Sequence, residues 1–173
     1  TQTALQDQPY IYNNLVVWQD YRNAAGNPKN ADIYLFDLST NTEKAICTAP
    51  GYQCCPMIFG TYVVWQDYRN MTPSDTANAD IYVYDLQTSE EKVITIKAGY
   101  QAQPFIYGST VVWFDYSDLS IYKAELTSSS VTTRFTNTPI KNKNAFTLMK
   151  GKCTSRSIVT GNGRFNLGGR YVK

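Results

Sequence analysis

One short segment decides the fold of this chain, because it occurs three times. Residues 15–23 read Leu-Val-Val-Trp-Gln-Asp-Tyr-Arg-Asn, residues 62–70 read Tyr-Val-Val-Trp-Gln-Asp-Tyr-Arg-Asn, and residues 110–116 read Thr-Val-Val-Trp-Phe-Asp-Tyr. The tryptophans of successive copies are 47 and 48 residues apart. A period of this length is typical of repeat architectures, in which each copy forms one supersecondary unit.

Two further segments accompany the repeated segment in every copy. It is preceded by Pro-x-Ile-aromatic at 9–12, 56–59 and 104–107, and followed by Ala-Asp-Ile-Tyr at 31–34 and 79–82, with a weaker version at 120–126. Short runs of β-forming residues separated by Asn, Gly and Ser turns predict four antiparallel strands in each copy, in the first at about 9–12, 15–19, 32–37 and 43–48. Both faces of these strands carry apolar residues, as expected of a sheet packed between two other sheets.

The order of these segments resembles the repeat of TolB-type β-propellers. It is particularly similar to the version with Val-Val-Trp-Gln-Asp and Asp-Ile-Tyr in secreted and surface-layer-associated proteins of archaea and bacteria. The resemblance covers about residues 8–136. It implies an all-β, β-propeller-type fold with three four-stranded blades, at about 8–48, 56–97 and 104–136, in an extracellular, cell-surface or periplasmic protein. Propellers serve as scaffolds, binding modules and enzymes, so the fold alone does not name a function.

The C-terminal segment, residues 137–173, departs from the repeat. It is basic, contains several glycines and has no Val-Val-Trp or Asp-Ile-Tyr. Residues 1–125 hold 14 acidic and 7 basic residues, a net charge of −7, whereas residues 126–173 hold 9 basic and no acidic ones. Closed propellers usually have about four to eight blades. Three interpretations stay open for the segment: a degenerate closing blade, a basic assembly arm, or the altered end of a truncated propeller.

The composition argues against catalysis. The chain has no histidine, which excludes Ser-His-Asp and Cys-His catalysis and most zinc sites. We therefore expect no enzyme activity, no cofactor and no metal. No apolar run is long enough to span a membrane. Nucleic-acid binding is not expected either, since the basic segment has few aromatics and the acidic body would repel phosphates.

The Asp-Tyr-Arg-Asn loops are the candidate ligand site, since they place a carboxylate, a phenol and a guanidinium at equivalent ends of successive blades. In an alternative interpretation, Asp20 and Arg22, together with Asp32, only hold the connection between two strands in place. The third copy has Ser117 and Asp118 in place of the arginine and a shorter connection, which favours this structural role. The candidate residues are Asp20, Tyr21, Arg22, Asp67, Tyr68, Arg69, Asp115 and Tyr116.

The cysteines, Cys47, Cys54, Cys55 and Cys153, are the disulfide candidates. They are not part of the repeat, and an even number in an exported protein favours disulfides. The simplest pairing joins one of Cys54 or Cys55 to Cys47 and the other to Cys153, which would attach the C-terminal segment to the body. Four free thiols are the alternative.

Taken together, these features predict a non-catalytic surface or envelope protein that binds partners or assembles with itself. The expected partner is a second copy or another surface protein, and strands or the basic segment of one chain would pair with the open edges of another. A carbohydrate- or peptide-binding module, or a remnant of a propeller hydrolase, is the alternative. It would use the loops around Tyr21, Arg22, Tyr68, Arg69 and Tyr116, so a glycan is also a possible ligand.

Overall fold

The computed structural model describes residues 4–27, 29–126, 164–165 and 171–172. The chain divides into two compact units, residues 1–140 and 141–173. In the second unit, β12 (Arg164–Phe165) pairs antiparallel with β13 (Tyr171–Val172). The predicted boundary at 136/137 and the fourth strand of the third copy lie outside the described residues. Within the described ranges, no helix is long and apolar enough to cross a membrane.

Three antiparallel sheets make up the described part of the first unit. Their strands follow one another in chain order, as in a meander. The first sheet contains β1 (Gln6–Tyr12), β2 (Leu15–Asp20), β3 (Asp32–Asp37) and β4 (Thr42–Cys47). The second contains β5 (Gln53–Phe59), β6 (Tyr62–Asp67), β7 (Asp80–Asp85) and β8 (Glu90–Thr95). The third contains β9 (Gln101–Tyr107), β10 (Thr110–Asp115) and β11 (Ser120–Glu125). The four strands predicted for the first copy are confirmed.

The sheets share one register. Each tryptophan of the repeat lies opposite a tyrosine of the next strand, and the paired residues are Trp18 and Tyr34, Trp65 and Tyr82, and Trp113 and Tyr122. The ring centroids of these pairs lie 5.9 to 6.1 Å apart. This register places the two Asp-Tyr-Arg-Asn loops and the equivalent loop of the third sheet at the same rim. The connections that join one sheet to the next lie at this rim as well.

The first strand of each sheet carries a bulge directly before its proline. Gln8, Cys55 and Gln103 have φ values of 52°, 54° and 55°, and the pairing with the second strand shifts register at these points. A bulge adds one residue to one strand and increases its twist. Because a proline cannot donate a backbone hydrogen bond, the segment is suited only to a sheet edge.

The sheets pack face to face. We call the face that a sheet turns to the following sheet its trailing face, and the opposite one its leading face. In the first contact, Val17, Ile33 and Leu35 of the trailing face pack with Ile58 and Trp65 of the next leading face. The second contact has the same arrangement, with Val64, Ile81 and Val83 on one side and Ile106, Val111 and Trp113 on the other. The leading face of the first sheet is formed by the equivalent residues Ile11, Val16, Trp18, Tyr34 and Phe36.

Candidate functional site

The aspartates of the Asp-Tyr-Arg-Asn loops are buried structural acceptors. Asp20 is fully buried and accepts hydrogen bonds from the Trp18 indole at 2.8 Å, the Arg22 backbone at 2.8 Å and the Gln6 amide at 2.9 Å. Its carboxylate also pairs with the Arg22 guanidinium at 2.7 Å. Burial acts to raise the pKa of this carboxyl, but the hydrogen bonds from Arg22, Trp18 and Gln6 hold it well below its ordinary value.

The second loop repeats this arrangement. Asp67 is fully buried and accepts from the Trp65 indole at 2.8 Å, and it pairs with Arg69 at 2.6 Å. The amide of Asn70 donates to Asp80 at 2.8 Å, just as Asn23 donates to Asp32 at 2.8 Å in the first loop. These contacts tie each loop to the strand that follows it.

The third loop keeps the ion pair with a different cation. Asp115 is buried and accepts from Ser117, and it pairs with Lys97 at 2.9 Å. Lys97 lies in the connection after β8 and also pairs with Asp118 at 3.3 Å. The shorter third connection therefore keeps an ion pair with its aspartate, although no arginine follows that aspartate. The sequence did not reveal this pairing, because Lys97 lies outside the repeated loop segment.

The two arginines are engaged inside the molecule. Arg22 pairs with Glu43 at 2.5 Å in addition to Asp20, and its guanidinium carbon lies 3.9 Å from the centre of the Tyr34 ring. Arg69 pairs with Glu91 at 2.6 Å in addition to Asp67, and it lies 4.1 Å from the centre of the Tyr82 ring. Each guanidinium is thus held between two carboxylates and one ring, an arrangement that stabilises the loop.

The loop tyrosines form a continuous row with two tyrosines that lie outside the repeated loop segment and were not among the predicted site residues. Neighbouring ring centroids in this row lie 6.3, 5.7, 6.2 and 4.7 Å apart. The added members each lie in a Gly-Tyr-Gln segment, at 51–53 and 99–101. The repetition of this tripeptide is the sequence signal from which Tyr52 and Tyr100 could have been predicted as site residues. We call the set the tyrosine row, and its members in spatial order are Tyr21, Tyr52, Tyr68, Tyr100 and Tyr116.

Buried glutamines contact the tyrosine row. The Gln19 amide donates to the hydroxyls of Tyr21 and, at 2.9 Å, Tyr52, and the Gln66 amide donates to Tyr68 at 2.7 Å. Burial is the largest influence on the phenols of Tyr21, Tyr52 and Tyr68, and it raises their pKa values. The row is therefore an uncharged set of rings and hydroxyls backed by buried amides.

The cysteine arrangement corrects one expectation. Cys47 is a free thiol in the core between the first and second sheets, and its sulfur accepts a hydrogen bond from Arg69 at 3.0 Å. The predicted disulfide from Cys47 to Cys54 or Cys55 is not formed, because the Cys47 side chain is directed at Arg69. The other predicted bond involves Cys153, which lies outside the described residues.

The thiols are expected to differ in reactivity. Burial raises the pKa of the Cys47 thiol to about 12, whereas a hydrogen bond with Cys54 lowers the pKa of the Cys55 thiol. Because the thiolate is the nucleophile, iodoacetamide at pH 8 should modify Cys55 before Cys47 in the folded protein. Peptide mass spectrometry would measure both rates, and labelling in guanidinium chloride is the control that removes the difference. Equal rates in the folded protein would contradict the expectation.

No metal-binding cluster is found in the parts of the first unit that the structure describes. Across residues 4–27 and 29–126, no three Cys, Asp or Glu side chains are placed to hold a metal ion together.

Comparison with known proteins gives similarity of fold. No family model matches the chain, and no curated protein is similar to it. The chain is similar to the structure of putative TolB from Agrobacterium tumefaciens, with 18% identity and a TM-score of 0.50, covering 69% of this chain and 44% of that one. TolB from Acinetobacter baumannii shows 21% identity and a TM-score of 0.48, covering 69% and 29%. The computationally designed Ika4 protein shows 13% identity and a TM-score of 0.48, covering 70% and 66%.

The chain therefore spans less than two thirds of the length of each of these structures. Identity this low shows the fold alone, so membership in the surface-protein version of the repeat family stays a prediction. The three stacked antiparallel sheets, in agreement with the Agrobacterium structure, show that the chain has an all-β fold of the β-propeller type.

Proposed function

We propose that the chain is a non-catalytic, exported interaction domain that assembles with copies of itself through the leading face of its first sheet. The observation that carries the proposal is a comparison of equivalent residues. Ile58 is 1% exposed because the first sheet covers it, whereas its equivalent Ile11 is 58% exposed. At the other positions of this face, Val16 and Phe36 are half-buried and Trp18 and Tyr34 are buried, so Ile11 is the exposed member of a face that repeats the core set.

The two outer faces differ in character. Leu35 and Val83 lie on the trailing faces of the first two sheets, but the third sheet has Lys123 at the equivalent position. Thr110 likewise takes the place of an apolar or aromatic residue. The leading face of the first sheet keeps the full apolar set and is the better association surface.

Charge supports a particular occupant for this face. A depression on it is lined by Val16, Trp18 and Phe36 together with Asp7 and Glu43. The Glu43 carboxylate pairs with Arg22, which leaves Asp7 as the acidic group for a partner. The segment 126–173 has nine basic and no acidic residues. An apolar surface with a carboxylate beside it complements such a segment, so we propose that the basic segment of a second copy packs here.

The oligomeric state tests this proposal. Light scattering after gel filtration should give a mass above the 19.6 kDa of one chain, and Ile11→Asp should return the mass to that of a monomer. High salt should also weaken the assembly, because it screens the attraction between opposite charges. The matched control is Leu38→Asp, at a residue of similar exposure in the turn between β3 and β4. A wild-type protein that is monomeric at all concentrations contradicts self-assembly.

A further inference from the structure

We propose that the tyrosine row binds an uncharged oligosaccharide. This inference concerns the rim of the sheets and goes beyond the proposed assembly, on which it does not depend. The ligand chemistry follows from three features of the described residues: a continuous line of rings, buried amide groups with unused hydrogen-bonding capacity, and cations that are already paired.

The rings form one row that crosses all three sheets, in which Tyr116 is exposed and the other four rings are half-buried. Backbone hydrogen bonds join the loops to the connections between sheets. The Tyr68 N–H donates to the Tyr52 carbonyl, and the Tyr116 N–H donates to the Tyr100 carbonyl, both at 2.9 Å. Neighbouring rings are tilted by 34° to 49°. Aromatic side chains with a hydroxyl group offer an apolar face and a polar edge together. A sugar ring matches both, since its C–H face packs on an aromatic ring while its hydroxyls form hydrogen bonds.

The glutamines beside the row have unused polar atoms. Gln101 follows Tyr100 directly, is fully buried, and forms no hydrogen bond with either side-chain atom among the described residues. The carbonyl oxygens of Gln19 and Gln53 likewise accept no hydrogen bond there. Buried polar groups are normally satisfied, and an exception needs an explanation. These atoms are closed to solvent in the structure, so the hydroxyls of a ligand seated on the row reach them only where a ring of the row moves aside.

The charges of the rim favour a neutral ligand. Arg22, Arg69 and Lys97 each pair with two carboxylates. A phosphate or carboxylate ligand would have to displace one of these pairs. The phenols of Tyr21 and Tyr68, whose pKa values burial raises above the ordinary 10, are protonated near neutral pH and carry no charge.

Titration calorimetry on the full chain tests the inference with defined probes. The probes are cellohexaose, chitohexaose and maltohexaose, with a heparin hexasaccharide as the anionic comparison and a proline-rich decapeptide as the peptide comparison. We expect at least one neutral hexasaccharide to bind and Tyr116→Ala to raise its Kd about tenfold, the upper range for loss of an aromatic contact. Tyr116 is 44% exposed, so its replacement should leave the fold intact.

Tyr107→Ala is the matched control, because Tyr107 is 80% exposed at the other end of β9 from the tyrosine row. It should bind the sugar as wild type does. The Ile11→Asp variant should bind equally well, so that failure of the assembly proposal is distinguished from failure of this one. Absence of binding by all three neutral sugars, binding of the heparin fragment or the peptide alone, or an unchanged Kd in Tyr116→Ala would overturn the inference.

Discussion

Replacing Asp20 with alanine is expected to lower the free energy of unfolding by about 3–5 kcal/mol, the range for breaking a buried ion pair. The variant leaves the Trp18 indole and the Arg22 guanidinium without their shared acceptor inside the fold. Urea unfolding followed by tryptophan fluorescence would measure the loss. The control is Glu90→Ala, which removes an exposed ion pair with Lys92 and should change stability by less than about 1 kcal/mol. Equal effects would show that the buried pair does not support the fold.

The stabilisation by Asp20 should also depend on pH. Its pKa in the folded protein lies below the ordinary value of 3.8, so the unfolded chain takes up a proton at a higher pH than the folded one. The stabilisation is therefore complete above the unfolded pKa and is lost as the pH falls through the folded pKa. Asp20→Asn, which has no titrating group, should unfold with a shallower dependence on acid than wild type.

Replacing Ile58 with alanine should cost about 2–5 kcal/mol, whereas Ile11→Ala should cost less than about 0.5 kcal/mol. The two residues occupy equivalent positions of the repeat, but only Ile58 is covered by a neighbouring sheet. Unfolding should be measured at a protein concentration at which wild type is monomeric. At higher concentration the effect of Ile11→Ala should grow, because assembly would then bury this side chain. Similar costs for both variants in the monomer would show that the leading face of the first sheet is already covered.

The repeat allowed the strands and the fold class to be predicted from sequence. The Val-Val-Trp segments recur after 47 and 48 residues and each is followed by a version of Asp-Ile-Tyr, so strand positions and apolar faces follow from a single pattern. The structural role of Asp20 and Arg22 was also an open interpretation, and the contacts of both residues agree with it.

Individual partners were harder to predict, because they join residues from different parts of the repeat. Lys97 supplies the cation that an arginine supplies in the other two loops, but it comes from the connection after β8. An alignment of the loops therefore does not reveal it. Tyr52 belongs to the site through ring contacts with Tyr21 and Tyr68, and its Gly-Tyr-Gln segment lies outside the Asp-Tyr-Arg-Asn loops. The predicted disulfide of Cys47 was wrong for a similar reason. An even number of cysteines does not show where each side chain points, and the Cys47 side chain points at Arg69.

The bulge before the proline in each first strand has a consequence for aggregation. β1, β5 and β9 lie at the edges of their sheets, where exposed backbone groups can recruit strands from other molecules and start a fibril. At each of these edges, a residue in the left-handed conformation is followed by a proline, which interrupts the row of backbone N–H donors. Sideways addition of strands is therefore blocked on that edge of every sheet. The bulged edges thereby oppose growth into cross-β fibrils.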